Sequence, residues 1–165
     1  MKRFFLFMMM AALTVTSFTA CSSDDDDVNT DAERIAGTYT GDTEAKFTYG
    51  TLTYEDDVLT LTANSDGTAN VSYTNDTDHL VTESPVAMGF GTFTDSKMKV
   101  TANSDGSYSM SGSGSVAISM SASATGKSYA YTSEYTVKGS VITAVYTFEG
   151  LMGTTVLTFT SSSKK

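Results

Sequence analysis

The chain has 165 residues, of which 40% are hydrophobic, 18% charged and 11% aromatic, which is enough for one folded domain of ordinary core size and leaves no room for a second large one. Its formal charge is −9, and Lys46, Lys97, Lys99, Lys127 and Lys138 are scattered, which argues against a basic stripe for nucleic acid. The single cysteine excludes an internal disulfide and a cysteine-rich metal site.

Residues 1–20 open with Lys2-Arg3 and continue as an uncharged run rich in Phe, Met, Leu and Ala that ends in small residues, the pattern of a secretory signal. Thr14, Thr16, Ser17 and Thr19 dilute its second half, and the run falls short of the roughly 20 strongly apolar residues of a membrane span. Cleavage before Cys21 would remove Lys2 and Arg3, leaving eight bases against 19 acids and a charge of −11. Ala20-Cys21 resembles the end of a bacterial lipobox, where the cysteine sulfur is the nucleophile that takes a diacylglycerol. Two or more acyl chains would then anchor the protein stably. Ser22, Ser23, Asp24, Asp25, Asp26 and Asp27 follow directly. This run resembles the surface-export signal of Bacteroidetes lipoproteins, and it is also a self-repelling, solvated linker. The polar tether continues to Arg34, with a short helical turn expected over Ala32, Glu33, Arg34 and Ile35.

From Ile35 onward the chain has strand chemistry: Thr, Val, Tyr and Phe are frequent, glycines punctuate, and Pro85 is the only proline. Strands are expected over 36–48, 58–63, 68–74, 86–94, 97–102, 107–111, 115–122, 129–137, 141–149 and 154–160. The hexapeptide Thr62-Ala63-Asn64-Ser65-Asp66-Gly67 returns letter for letter as Thr101-Ala102-Asn103-Ser104-Asp105-Gly106. Each copy suits a type I turn closed by a left-handed glycine, so two similar hairpins are expected. Apolar residues recur with period two, as in Leu59, Leu61, Ala63; Met98, Val100, Ala102; Val116, Ile118, Met120, Ala122; and Ile142, Ala144, Tyr146, Phe148. One dry face and one wet face define an all-β fold, an antiparallel up-and-down meander of about 8–10 strands closed into a barrel. The expected division is a signal over 1–20, a lipidated cysteine and acidic tether over 21–34, the barrel over 35–161 and a polar tail over 162–165.

Candidate chemistry is sparse. The sole histidine, His79, stands beside Asp76 and Asp78 in a polar loop, where adjacent residues rarely fix an acid–base pair, and it reads as an exposed loop histidine. The groups Asn75, Asp76, Asp78 and Glu55, Asp56, Asp57 have no calcium-loop spacing and read as solvated turn acids. Glu134 falls out of phase with its neighbouring tyrosines and is expected to face solvent. Gly112-Ser113-Gly114 lacks the strand–loop–helix context of a phosphate loop. No catalytic set, metal site or cofactor is expected.

Ala36-Gly37-Thr38-Tyr39-Thr40-Gly41, the hairpin around Asn64-Ser65-Asp66-Gly67, Gly139-Ser140-Val141-Ile142 and Gly153-Thr154-Thr155-Val156-Leu157-Thr158-Phe159 together resemble the calycin-like, or lipocalin-like, β-barrel domain of Bacteroidetes lipoproteins. Gly37-x-Tyr39 stands where lipocalins proper have Gly-x-Trp. The arginine that packs on that tryptophan has no counterpart, the only arginines being Arg3 and Arg34. The resemblance implies a non-enzymatic, lipid-anchored outer-membrane protein facing the cell exterior, whose barrel binds a small hydrophobic ligand. Tyr39, Phe90, Met98, Met110, Met120, Tyr129, Tyr131, Tyr146 and Phe148 could line the mouth of such a barrel or simply fill it. The alternative is a structural or adaptor module that meets glycans or partner proteins of an outer-membrane complex through its Thr/Ser/Tyr-rich exterior.

Overall fold

A capping box starts the ordered chain: Thr30 accepts from the Glu33 backbone N–H while the Glu33 carboxylate accepts from the Thr30 N–H, fixing helix α1 (Asp31–Ile35). The computed structural model describes residues 30–82, 88–118 and 126–165. Cys21, Ser22, Ser23, Asp24, Asp25, Asp26, Asp27 and Met120 lie outside the described residues. Ala32 and Ile35 of α1 are buried against the end of a nine-stranded antiparallel sheet. Its strands are β1 (Gly37–Phe47), β2 (Gly50–Ala63), β3 (Thr68–Asn75), β4 (Gly91–Lys99), β5 (Thr101–Ala102), β6 (Tyr108–Ile118), β7 (Lys127–Lys138), β8 (Val141–Glu149) and β9 (Thr154–Lys164).

The sheet order is β4-β3-β2-β1-β9-β8-β7-β6-β5, so an N-terminal half and a C-terminal half are joined at β1 and β9, which pair from Tyr39↔Lys164 to Lys46↔Val156. Closing the barrel then requires β4 to meet β6. The two do lie together, since a Cβ on Gly91 would come within 3.3 Å of the Ala117 carbonyl oxygen. Among the described residues, however, no backbone ladder joins them.

Most expected strands are present, and each difference has a local cause. Acids 55–57 lie inside β2 rather than in a turn, because a bulge there sets Gly41 opposite Asp57 and Thr43 opposite Tyr54. Asp56 takes up the extra residue at φ 60°, which shifts the inward phase so that Leu52 and Tyr54 give way to Asp57, Leu59 and Leu61. Lys97, at φ 54°, does the same in β4, between the inward pair Phe93, Asp95 and the inward Met98. The alternation expected for Met98, Val100, Ala102 fades where β4 ends at Lys99: Val100 is half-buried and Ala102 exposed. The strands expected over 107–111 and 115–122 join, as far as Ile118, in one strand, β6, with Gly112 and Gly114 inside it, and residues 119–122 lie outside the described residues. β9 continues to Lys164, into the segment expected as a polar tail.

Both repeated hexapeptides make the expected turn. Gly67 and Gly106 have φ of 80° and 77°, and Asp66 and Asp105 each accept from the backbone N–H and the hydroxyl two residues on, Thr68 and Ser107. The Thr30 methyl lies within 3.8 Å of a Cβ on Gly67, and Lys164 Nζ donates to the Arg34 carbonyl, so α1, the first hairpin turn and the C-terminus share one end. Lys164 Nζ also sits 5.3 Å from the centre of the Tyr39 ring, supplying the cation that the sequence shows no arginine to provide.

Gly112 faces the Asp95 carboxyl carbon so closely that a Cβ would stand 2.7 Å from it, with Ser133 Oγ at 2.9 Å. Gly112→Ala is therefore expected to lower stability by about 1–3 kcal/mol through overpacking, read as a lower urea midpoint with unchanged slope.

Candidate functional site

The barrel interior holds two fully desolvated carboxylates. Asp57 is 0% exposed. Its Oδ2 accepts from Thr43 Oγ1 at 2.5 Å, Tyr73 Oη at 2.8 Å and Asn75 Nδ2 at 2.8 Å, while Oδ1 lies 3.0 Å from His79 Nδ1. A carboxylate that takes donors on both oxygens acts as the acceptor, so the contact is made with a proton on His79 Nδ1. Asn75 also accepts from the Phe90 N–H with its Oδ1, tying both ends of the β3–β4 connection to the same centre. This corrects the view of Asp57 as a solvated turn acid and of His79 as a free loop side chain. His79 closes a 3₁₀ turn, Thr77–His79, and its side chain is 36% exposed.

Asp95 is the second centre, 3% exposed. Tyr131 Oη donates to its Oδ1 at 3.1 Å, and Ser133 Oγ and Tyr135 Oη donate to its Oδ2, both at 2.5 Å. All three donors belong to β7, so the side chain of β4 crosses beneath β6 at Gly112 to reach them. Tyr135 Oη also lies 3.2 Å from Tyr146 Oη, within hydrogen-bond distance. Among the described residues no buried side-chain polar atom is without a partner. Nor do any three His, Cys, Asp or Glu side chains converge on a point where a metal could bind.

Burial drives the tyrosine titrations. Tyr39 is pushed up to about 12 by desolvation. Tyr73 and Tyr131 are held well above the ordinary range by desolvation first and then by the negative field of Asp57 and Asp95 respectively. Tyr135 and Tyr146 are raised as well, chiefly by desolvation.

Rings fill the space between the two carboxylates. Tyr73 stacks on Phe93 and on Tyr146 at 5.4 Å, Phe93 meets Tyr146 at 4.4 Å, and Tyr146 meets Tyr131 at 5.7 Å. Of the side chains expected to line a mouth, Phe90, Tyr131, Tyr146 and Phe148 are brought together as this packed cluster, with Phe90 5.8 Å and Tyr131 6.0 Å from Phe148. Met98 and Met110 are buried as well, and Tyr129 is half-buried under the Lys127 ammonium. Tyr39 stands apart from the cluster, donating to the Ile35 carbonyl at 2.5 Å and closing the α1 end. Residue alternation held a clue to both missed acids. Asp57 keeps phase with Leu59 and Leu61, and Asp95 with Phe93, so each occupies a position where an apolar residue was due.

Among the described residues a cleft lies outside this interior. It has a volume of about 380 Å³ and is lined by Lys99, Thr101, Ser109, Met110, Ser111, Glu134, Tyr135 and Thr136.

Among the described residues, nine antiparallel strands in meander order, nearly closed around a ring-filled core, make this an up-and-down β-barrel. Residues 35–160 match the Calycin-like beta-barrel domain, and the chain belongs to that family. Comparison with curated proteins gave no match. Among solved structures the chain is similar to a Bacteroides fragilis protein provisionally described as an outer membrane protein, at 20% identity and a TM-score of 0.60 over 81% of this chain. The match spans about half of that protein's length, 52%, and the likeness is one of fold.

Two outcomes follow from the carboxylate centres. Asp57→Ala strands the Thr43, Tyr73 and Asn75 donors in a desolvated interior. A loss of about 3–5 kcal/mol is expected in chemical denaturation, with amide exchange in the 76–82 segment accelerating more than elsewhere. Alkali should act through the tyrosines. Unfolded tyrosine loses its proton near pH 10, so above that pH the folded state binds more protons than the unfolded one, and stability falls as pH rises. The urea midpoint is expected to be level up to about pH 9 and to decline progressively from about pH 10 past the Tyr39 value of about 12.

Proposed function

We propose that this protein is a lipid-anchored outer-membrane barrel displayed on the cell exterior, which acts by binding through its outer surface and catalyses nothing. The observation that carries the exterior reading is the ring cluster, in which the aromatic side chains otherwise available to an apolar ligand are in contact with one another. A barrel of this strand number is just wide enough to be filled by side chains or to hold one small ligand, and here side chains occupy that width. The adaptor reading, in which glycans or partner proteins of an outer-membrane complex meet the Thr- and Ser-rich outer face, is therefore favoured over carriage of a hydrophobic ligand. The carboxylate–imidazole pair of Asp57 and His79 resembles half of a hydrolytic triad. Yet Asp57 is engaged with four donors that tie β1, β3 and the β3–β4 connection to it, and no hydroxyl or thiol nucleophile is bonded to His79 among the described residues.

The anchor and the address rest on sequence: Cys21 as the lipidated residue, with Ser22, Ser23 and the four aspartates behind it. Membership of the calycin-like family and the fold shared with the Bacteroides fragilis protein support an outer-membrane setting. Cys21→Ser is expected to release the protein from membranes on fractionation, and undiminished membrane association would refute anchoring. Replacing Asp24, Asp25, Asp26 and Asp27 together by Ala should leave the protein membrane-bound but hide it from protease added to intact cells. An apolar molecule that stays with the protein through native mass spectrometry would overturn the exterior reading in favour of a ligand carrier.

A further inference from the structure

We propose that the cleft over β5, β6 and β7 is a saccharide site, taking a neutral, polyhydroxylated ring. This rests on the exterior-binding reading and names its place. The register brings the polar groups into rows: Thr101 pairs with Ser109 and Ser109 with Thr136, while Ser111 pairs with Glu134. Lys99, Thr101, Ser111, Glu134 and Thr136 are exposed, whereas Met110 and Tyr135 are buried and close the cleft from below. At about 380 Å³ the space lies at the lower end of the range for small-molecule sites.

The lining selects the ligand by elimination. Lys99 only donates, Glu134 only accepts, and the intervening hydroxyls do either. Among the described residues the ion pairs are Lys46 with Glu44, His79 with Asp57 and Lys138 with Asp105, so Lys99 and Glu134 face the cleft with their charges unpaired. An apolar ligand would desolvate both charges without replacing their hydrogen bonds, at a cost neither can recover. A phosphate or carboxylate ligand would lie against Glu134, and an amine against Lys99. A neutral ring with hydroxyls on its edge satisfies both at once: vicinal hydroxyls donate to Glu134, ring or hydroxyl oxygens accept from Lys99, and the small Thr and Ser groups supply the remaining contacts. The floor is firm, since the Tyr135 hydroxyl is held by Asp95 and the β6–β7 ladder runs unbroken from Tyr108↔Val137 to Ile118↔Lys127.

The test uses the full-length lipoprotein in a detergent without a sugar headgroup, titrated by calorimetry and ligand-observed NMR with neutral hexoses and N-acetylhexosamines. A uronic acid and an amino sugar serve as charged counterparts. A neutral sugar is expected to bind more tightly than either charged one. Lys99→Ala and Glu134→Ala should each weaken binding about tenfold with an unchanged melting temperature, because both side chains are exposed. Glu44→Ala, on another strand and paired with Lys46, should bind as the wild type does. Binding of none of the neutral sugars, preference for a charged sugar, or unaltered binding by the Lys99 and Glu134 variants would each overturn the assignment. Membrane release and protease access are read separately, so a protein that is displayed as proposed yet ignores every sugar refutes the cleft alone.

Discussion

The carboxylate of Asp95 is the constraint on which the closed barrel depends. Two half-sheets must be joined twice to make a cylinder. The β1–β9 join is made by backbone hydrogen bonds, but β4 and β6 form no ladder among the described residues. The second join therefore falls to side chains, and a neutral one would bring too little to it. A desolvated carboxylate gathers several charge-assisted hydrogen bonds, each stronger than a neutral pair, and three β7 hydroxyls supply them. The rest is arranged around that reach. Gly112 leaves room for the carboxylate to pass, and the bulge at Lys97 lets Asp95 and Met98 both point inward.

This explains the aromatic composition. The chain has nine tyrosines and no tryptophan, and five of the tyrosines are among the largest fully buried side chains. A phenylalanine core would fill the same volume but take Tyr73 from Asp57 and leave Asp95 with Ser133 alone of its three donors. Tyrosine serves as a core residue with a hydroxyl at its tip. The two centres are linked through rings, because Tyr73 bonds to Asp57 and stacks on Tyr146, which Tyr135 joins to Asp95. The N-terminal half is stapled internally by Asp57, across β1, β2 and β3, and externally by Asp95.

The fold class could be read from the sequence because an exposed antiparallel sheet writes its two faces into alternate residues, and the hairpin turns repeat a recognisable hexapeptide. The carboxylate centres could not be read so easily. An aspartate at an inward position looks the same in sequence as one in a turn, and the bulges that aim it inward fall on Asp56, one acid in a run of three, and on Lys97, a residue type that gives no warning of positive φ. The Asp57–His79 contact joins residues 22 apart, so it depended on knowing which strands neighbour one another. The ion–ring contact at the α1 end was missed for a simpler reason: the expected cation was arginine, and Lys164 lies in what read as a tail.

The β1–β9 ladder also sets an order of events. The strand made first in each half-sheet of a growing chain can pair at once with its successor, across hairpins such as those at residues 64–67 and 103–106. β1 has no such relief on its other side. From the moment residues 37–47 emerge until residues 154–164 arrive, one flank of β1 is an open template for any passing strand. Nearly the whole domain must be synthesised or translocated before that flank is covered. The cylinder is therefore finished by its last strand, and its most dangerous edge is its oldest one.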